Sequence, residues 1–306
     1  MHRTDGLYFN YAIFTNISPD HIGPGEHADF EEYLYYKTRL LNMCGIGLVN
    51  KDDEHAPQII KAANCELYTY SEESKEADFV ASDIRYVSQP DFVGTEFHIS
   101  GKYDMEVRLG IPGLFNVVNA LAAVSVCSFL GLDQARISHA LENIRVNGRM
   151  EIVYTSERCT VLVDYAHNAV SMESLLSTLR DYKPKRLVCV FGCGGNRSKD
   201  RRYSMGEIGG KMADLSIITA DNSRYEKVED IIADIRGSIE KTGGKFIEIP
   251  DRREAIRYSI LHAQPGDMVA VIGKGHEDYQ EINGVRHHFL DREVIEETVK
   301  ELGEKA

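Results

Sequence analysis

Positive charge is scarce in this 306-residue sequence: 35 Lys and Arg stand against 48 Asp and Glu, for a net charge of −13. Such a surface repels nucleic acid and anionic lipid as a whole, so neither is an expected partner and a small substrate is the default. No apolar run approaches the roughly 18 residues of a membrane span. The opening stretch lacks the basic, apolar, small-residue order of a secretory leader. The six cysteines (Cys44, Cys65, Cys127, Cys159, Cys189 and Cys193) have no Cys-x-x-Cys spacing, and several sit inside apolar runs. They read as reduced, packed thiols of a cytoplasmic protein. Internal repeats and low-complexity linkers are absent, and so is any Gly-x-x-x-x-Gly-Lys-Ser/Thr phosphate loop.

What is present fits a globular protein with room for two cores: 43% of residues are apolar and 27% charged. The second half alternates. Apolar, β-branched runs at Thr160–Val163, Leu187–Phe191, Leu215–Thr219, Phe246–Ile249 and Met268–Ile272 predict strands. Helical patterns lie around Ser171–Tyr182, Tyr203–Met212, Val228–Lys241 and Arg252–His262, with a last one from Asp291 to Leu302. Strands separated by single helices imply right-handed crossovers and a doubly wound, mostly parallel sheet. The first half differs. Val117–Leu130 reads as a helix closed by Gly131, Asp29–Met43 as another, and Ala12–Thr15 as a short strand. Alternating stretches at Thr95–Ser100 and Met105–Leu109 predict a small antiparallel patch. The domain boundary is placed at Gly148.

Polar clusters follow the strands of the second half. Asp164-Tyr-Ala-His167 ends one, Gly192-Cys-Gly-Gly-Asn-Arg197 a second, Asp221-Asn-Ser-Arg224 a third and Gly273-Lys-Gly-His-Glu277 a fourth. In a parallel sheet all four fall on the carboxyl rim, where such folds bind ligands. Neither glycine cluster has the spacing of a dinucleotide fingerprint or a phosphate loop. Arginines with an Asn and a Glu suit a zwitterion, because guanidinium pairs with carboxylate and Glu with ammonium. The basic stretch at 197–202 is either a solvated loop or part of that anion-binding rim.

In the Asp29–Met43 helix, Lys37 falls among Phe30, Tyr33, Leu34, Leu40 and Leu41 on the apolar stripe. It is either a snorkelling lysine or a desolvated amine whose neutral form reacts with carbon dioxide. The carbamate would hold a metal as a carboxylate does, with His21 as a partner ligand.

Taken in order, several segments resemble the Mur ligases over nearly the whole chain. They are Phe14-Thr-Asn-Ile-Ser-Pro-Asp-His21, Tyr36-Lys37, Phe115-Asn-Val-Val-Asn-Ala-Leu-Ala-Ala123, Gly148-Arg-Met-Glu151, Asp164-Tyr-Ala-His167, Phe191-Gly-Cys-Gly-Gly195, Asp221-Asn-Ser-Arg224 and Gly273-Lys-Gly-His-Glu277. The likeness is strongest to the members that add meso-diaminopimelate to UDP-N-acetylmuramoyl-L-alanyl-D-glutamate in cell-wall synthesis. It implies an α/β fold in two parts. Residues 1–148 would be part of the central ATP-binding domain, and 149–306 a Rossmann-like C-terminal ligase domain that binds the amino acid.

The resemblance also implies roles. Lys37 would be the carbamylated lysine and His21 a magnesium ligand. Asn116, Asn119, Arg149, Asp164 and His167 would contact ATP. Arg197, Asn222, Arg224, Gly273 and Glu277 would hold the incoming diamino acid. The reaction would form an acyl phosphate at the D-glutamyl carboxylate, then let an amine attack it.

Three departures stand out. Ser223 replaces the usual Pro of the diamino-acid motif, and the stretch between His21 and Lys37 is longer than in many relatives. The phosphate loop and the UDP-sugar domain are missing, so the sequence reads as a partial chain, expected to be inactive alone. The alternatives are a lysine-adding ligase, a more distant folylpolyglutamate-type ligase and a non-catalytic amino-acid-binding fragment.

Overall fold

The computed structural model describes residues 6–19, 22–23 and 26–303. The chain divides into two compact units. One comprises Met1–Arg85, Thr95–Leu109 and Leu114–Asn143, the other Tyr86–Gly94, Gly110–Gly113 and Ile144–Ala306. The chain therefore enters the second unit twice before residue 144.

In order, the first half forms β1 (Phe9–Phe14), α1 (Phe30–Thr38), β2 (Cys44–Asn50), α2 (Ala56–Ala62), β3 (Glu66–Ser71), β4 (Phe79–Gln89), β5 (Phe92–Gly101), β6 (Met105–Leu109), α3 (Leu114–Phe129) and α4 (Gln134–Glu142). The strands make one sheet in sequence order. Its β1-to-β4 side is parallel, while β5 and β6 pair antiparallel, as the alternating stretches predict. Val117, Leu121 and Val124 of α3 pack on Leu48, Phe79, Phe97 and Ile99. Gly131, at φ +67°, adopts the left-handed conformation just beyond that helix.

The predicted Asp29–Met43 helix is shorter than expected. Asp29 caps it, accepting from the Glu32 amide at 2.8 Å, but the α-helix stops at Thr38 and Arg39–Asn42 form a 3-10 turn. Tyr33, Leu34, Thr38 and Leu41 are buried, and Lys37 is exposed. Its ammonium lies 5.2 Å from the centre of the Tyr33 ring. The expectation of a desolvated Lys37 is corrected accordingly.

The second half runs β7 (Glu151–Thr155), β8 (Cys159–Asp164), α5 (Ala169–Asp181), β9 (Arg186–Phe191), α6 (Lys199–Met212), β10 (Leu215–Ile218), α7 (Val228–Thr242), β11 (Phe246–Glu248), α8 (Arg252–Leu261), β12 (Asp267–Ile272), β13 (Tyr279–Ile282), β14 (Val285–His288) and α9 (Asp291–Glu301). The main sheet has the order β11-β10-β9-β12-β8-β7. All of its pairs are parallel except β7 with β8. Period-two alternation sends Leu187, Cys189, Met268 and Ala270 to a core with α5, α6 and α7. Val188, Val190, Val269 and Val271 go to the opposite core with α8 and α9. Central strands covered on both faces explain the continuous apolar runs. No helix among the described residues is long and apolar enough to cross a membrane.

Candidate functional site

Because β10, β9, β12 and β8 are consecutive and parallel, the four polar clusters leave the same rim of the second unit. Asp164 ends β8 and is buried, which raises its carboxyl above the ordinary aspartate value although two backbone bonds oppose this. Those bonds come from the Met150 amide and the Ala166 amide, each at 2.7 Å. Asp164 thus holds the Gly148–Met150 turn against its own. Within that turn Arg149 is exposed, its guanidinium 5.0 Å from the centre of the Tyr165 ring. His167 donates from Nδ1 to the Tyr165 carbonyl at 2.9 Å, which leaves Nε2 as its free nitrogen.

The amino-acid cluster is more tightly built. Asn222, 5% exposed, donates from Nδ2 to Glu277 Oε2 at 2.9 Å, joining the ends of β10 and β12. Its carbonyl accepts from the Gly195 amide at 2.9 Å, which ties in the loop after β9. Arg224 donates from Nη1 to the Gly195 carbonyl at 2.7 Å, and its Nε lies 3.6 Å from Glu281 Oε2. Of the three expected neighbours, Arg197 and Arg224 approach Gly194 with their side chains and Asn222 with its backbone carbonyl. A β-carbon there would lie 3.1 Å from Arg224 Nη1, 3.8 Å from Arg197 Cγ and 3.8 Å from the Asn222 carbonyl. Gly273, at φ +113°, holds a conformation that side chains disfavour, and a β-carbon there would meet Asp221 Oδ2 at 2.7 Å.

The stretch at 197–202 does not act as one basic patch. Ser198 caps α6, which begins at Lys199 rather than Tyr203, and the first turn carries Arg202 inward. Arg202 is 1% exposed and bound to Glu226 at 2.8 Å and Asp234 at 2.9 Å. Lys199 reaches the same Asp234 at 3.0 Å. Arg197 stays exposed at the rim.

Other expected positions lie in the first unit. Asn116 and Asn119 sit in the first two turns of α3, half-buried and exposed respectively. Beside the exposed Lys37, His27 has its ring 5.2 Å from that of Tyr33 and 5.4 Å from that of Tyr36. His21 falls outside the described residues. Among the described residues no group of three or more His, Cys, Asp or Glu side chains is arranged to hold a metal ion. Sequence reasoning passed over two groups of the second unit, Lys274 and Glu281. Lys274 shows its signal in Gly273-Lys-Gly275, as a charged residue between two glycines at positive φ, whereas Glu281 carries none.

The Mur ligase middle-domain model matches residues 1–127, and the Mur ligase glutamate ligase domain model matches residues 148–275. The chain belongs to the Mur ligase family. Among curated Mur ligases it is 40% identical to UDP-N-acetylmuramoyl-L-alanyl-D-glutamate–2,6-diaminopimelate ligase 2 of Clostridium acetobutylicum, over 97% of this chain and 60% of that protein. The corresponding ligase of Caldanaerobacter subterraneus subsp. tengcongensis is 37% identical, over 98% of this chain and 61% of its own length. A solved structure of a ligase with that name aligns with a TM-score of 0.76 at 34% identity, covering 99% of this chain and 62% of the other. The UDP-N-acetylmuramate–alanine ligase of Thermotoga maritima shares the fold, with a TM-score of 0.62 at 19% identity over 96% of this chain and 60% of that one. This Mur ligase chain therefore spans about 60% of the length of its curated relatives.

Proposed function

We propose that this chain is part of a cytoplasmic ATP-dependent ligase that joins meso-diaminopimelate to UDP-N-acetylmuramoyl-L-alanyl-D-glutamate. The observation that carries this is the convergence of Arg224, Asn222, Glu277 and Arg197 at one rim. Guanidinium and carboxylate groups on one rim suit an amino acid that presents a carboxylate and an ammonium at its distal end. The names of relatives at 37–40% identity agree.

In this assignment Arg197, Asn222, Arg224, Gly273 and Glu277 hold the diamino acid. Arg149 and His167 of one unit, and Asn116 and Asn119 of the other, are each assigned a nucleotide contact, while Asp164 would serve indirectly by holding the turn that carries Arg149. Lys37 is assigned as the carbamylated lysine and His21 as a further magnesium ligand; the carbamate would supply an anionic oxygen pair for the metal. Magnesium, when bound, would neutralise phosphoryl charge. The protein's own task is to orient the diamino acid so that its free amine meets the activated D-glutamyl carboxyl, and to keep its distal end paired.

Two measurements test this. Titration of the 306-residue chain should show binding of meso-diaminopimelate, with lysine weaker. In a ligation assay of the full-length enzyme that contains this chain, phosphate release should require ATP, the UDP-dipeptide and the diamino acid together. No binding of the diamino acid, or release without it, would remove the assignment.

A further inference from the structure

Lys274 is completely buried at the centre of the amino-acid cluster. An ammonium has three protons and, away from water, needs an acceptor for each. Here Nζ donates to Asn222 Oδ1 at 3.4 Å, to Glu277 Oε2 at 3.3 Å and to the Tyr279 carbonyl. That set satisfies all three protons and leaves none for a ligand.

These bonds fix the orientation of two groups that face the rim. Asn222 Oδ1 also accepts from the Glu281 amide at 2.9 Å, so two donors set the amide and turn Nδ2 toward Glu277. Glu277 Oε2 then takes hydrogen bonds from both Asn222 and Lys274. Its other oxygen, Oε1, is left with the Tyr165 hydroxyl at 3.5 Å, at the limit of a hydrogen bond. Oε1 is thus the acceptor still open to an incoming ammonium.

We infer that Lys274 is a positioning residue for amino-acid specificity: it holds Glu277 turned so that Oε1 receives the distal ammonium of the diamino acid. This rests on the assignment of the rim as the diamino-acid site. Lys274 itself touches no ligand.

The test is calorimetry on the 306-residue chain with meso-diaminopimelate and with 2-aminopimelate, which keeps both carboxylates but lacks one ammonium. Lys274→Met preserves length and removes charge. It should weaken diaminopimelate about tenfold or more and change 2-aminopimelate by less than about twofold. Equal losses for both ligands would mean general damage to the pocket and overturn the inference, as would unchanged diaminopimelate binding. If Lys274→Met does not fold, the neutral pair Lys274→Met with Glu277→Gln is compared with Glu277→Gln alone. Matching affinities support action through Glu277, and a further tenfold loss refutes it. If the unmodified chain fails to bind diaminopimelate, the site assignment fails, which is a separate result from any of these.

Discussion

Arg252 and Asp291 face each other with no exposure to water, the guanidinium Nε and Nη2 each 2.7 Å from a different carboxylate oxygen. The same guanidinium donates to the Ala220 carbonyl at 3.2 Å and the Ile272 carbonyl at 3.0 Å. Those carbonyls immediately precede Asp221 and Gly273, so a buried ion pair anchors two strand ends that carry the candidate site. Removing one partner strands the other charge in the interior. Arg252→Met should lower stability by about 3–5 kcal/mol. Replacing both, Arg252→Met with Asp291→Leu, should recover most of that loss. Urea unfolding of the three chains checks this, and an Arg252→Met chain as stable as the original would refute it.

The alternation of the second half was legible because central strands covered on both faces leave continuous apolar runs, as in Leu187–Phe191 and Met268–Ile272. The convergence of Asn222, Arg224 and Glu277 followed from parallel strand direction alone. Lys37 does share a helical face with Tyr33 and Leu34, but spacing does not show how far a long side chain reaches, and its ammonium ends over the Tyr33 ring with the residue exposed. The inward turn of Arg202 was also hidden. Its partners Glu226 and Asp234 are 24 and 32 residues away, and only tertiary packing brings them together. Glu281 was invisible for a related reason, since its importance comes from the β13–β14 hairpin lying against Arg224.

At the opposite rim, Asp214 offers a pH test. Desolvation pushes its carboxyl up, but hydrogen bonds from Arg180 at 2.8 Å and the Leu187 amide at 2.7 Å prevail and hold it below 3.8. A carboxyl depressed in the folded state contributes stability that is present above the ordinary value and lost as pH falls through the folded one. Asp214→Asn should therefore cost about 1 kcal/mol or less at neutral pH, because the pair is partly exposed. The two chains should converge in stability below pH 3.8. A constant difference down to the most acid conditions would show that Asp214 keeps its contribution when protonated.

The proposed Lys37 carbamate calls for a direct test, because Lys37 is exposed where burial would have favoured the reactive neutral amine. In bicarbonate labelled with carbon-13, the chain should show a carbamate resonance that Lys37→Ala abolishes. In ATP-dependent ligation by the full-length enzyme the same substitution should cost about 100-fold or more, with partial recovery on adding short-chain carboxylates. A fully active Lys37→Ala enzyme would reduce Lys37 to a surface lysine resting on Tyr33.

Arg224 separates diaminopimelate from lysine most sharply. Its Nη1 is committed to the Gly195 carbonyl and its Nε faces Glu281, so the guanidinium is oriented before any ligand arrives. A distal carboxylate would complete the partners of that guanidinium, and lysine has none to offer. Leaving a half-buried charged donor unmatched costs roughly 1–3 kcal/mol, about tenfold to a hundredfold in affinity. The chain should therefore bind meso-diaminopimelate more tightly than lysine by that factor. Arg224→Ala should erase most of the difference from one side only. Diaminopimelate loses its carboxylate partner, while lysine keeps Glu277 and meets a Glu281 carboxylate freed of its arginine. Paired calorimetric titrations of the original chain and Arg224→Ala decide the matter. Equal weakening of both ligands would make Arg224 a structural support, and a native preference for lysine would withdraw the diaminopimelate assignment.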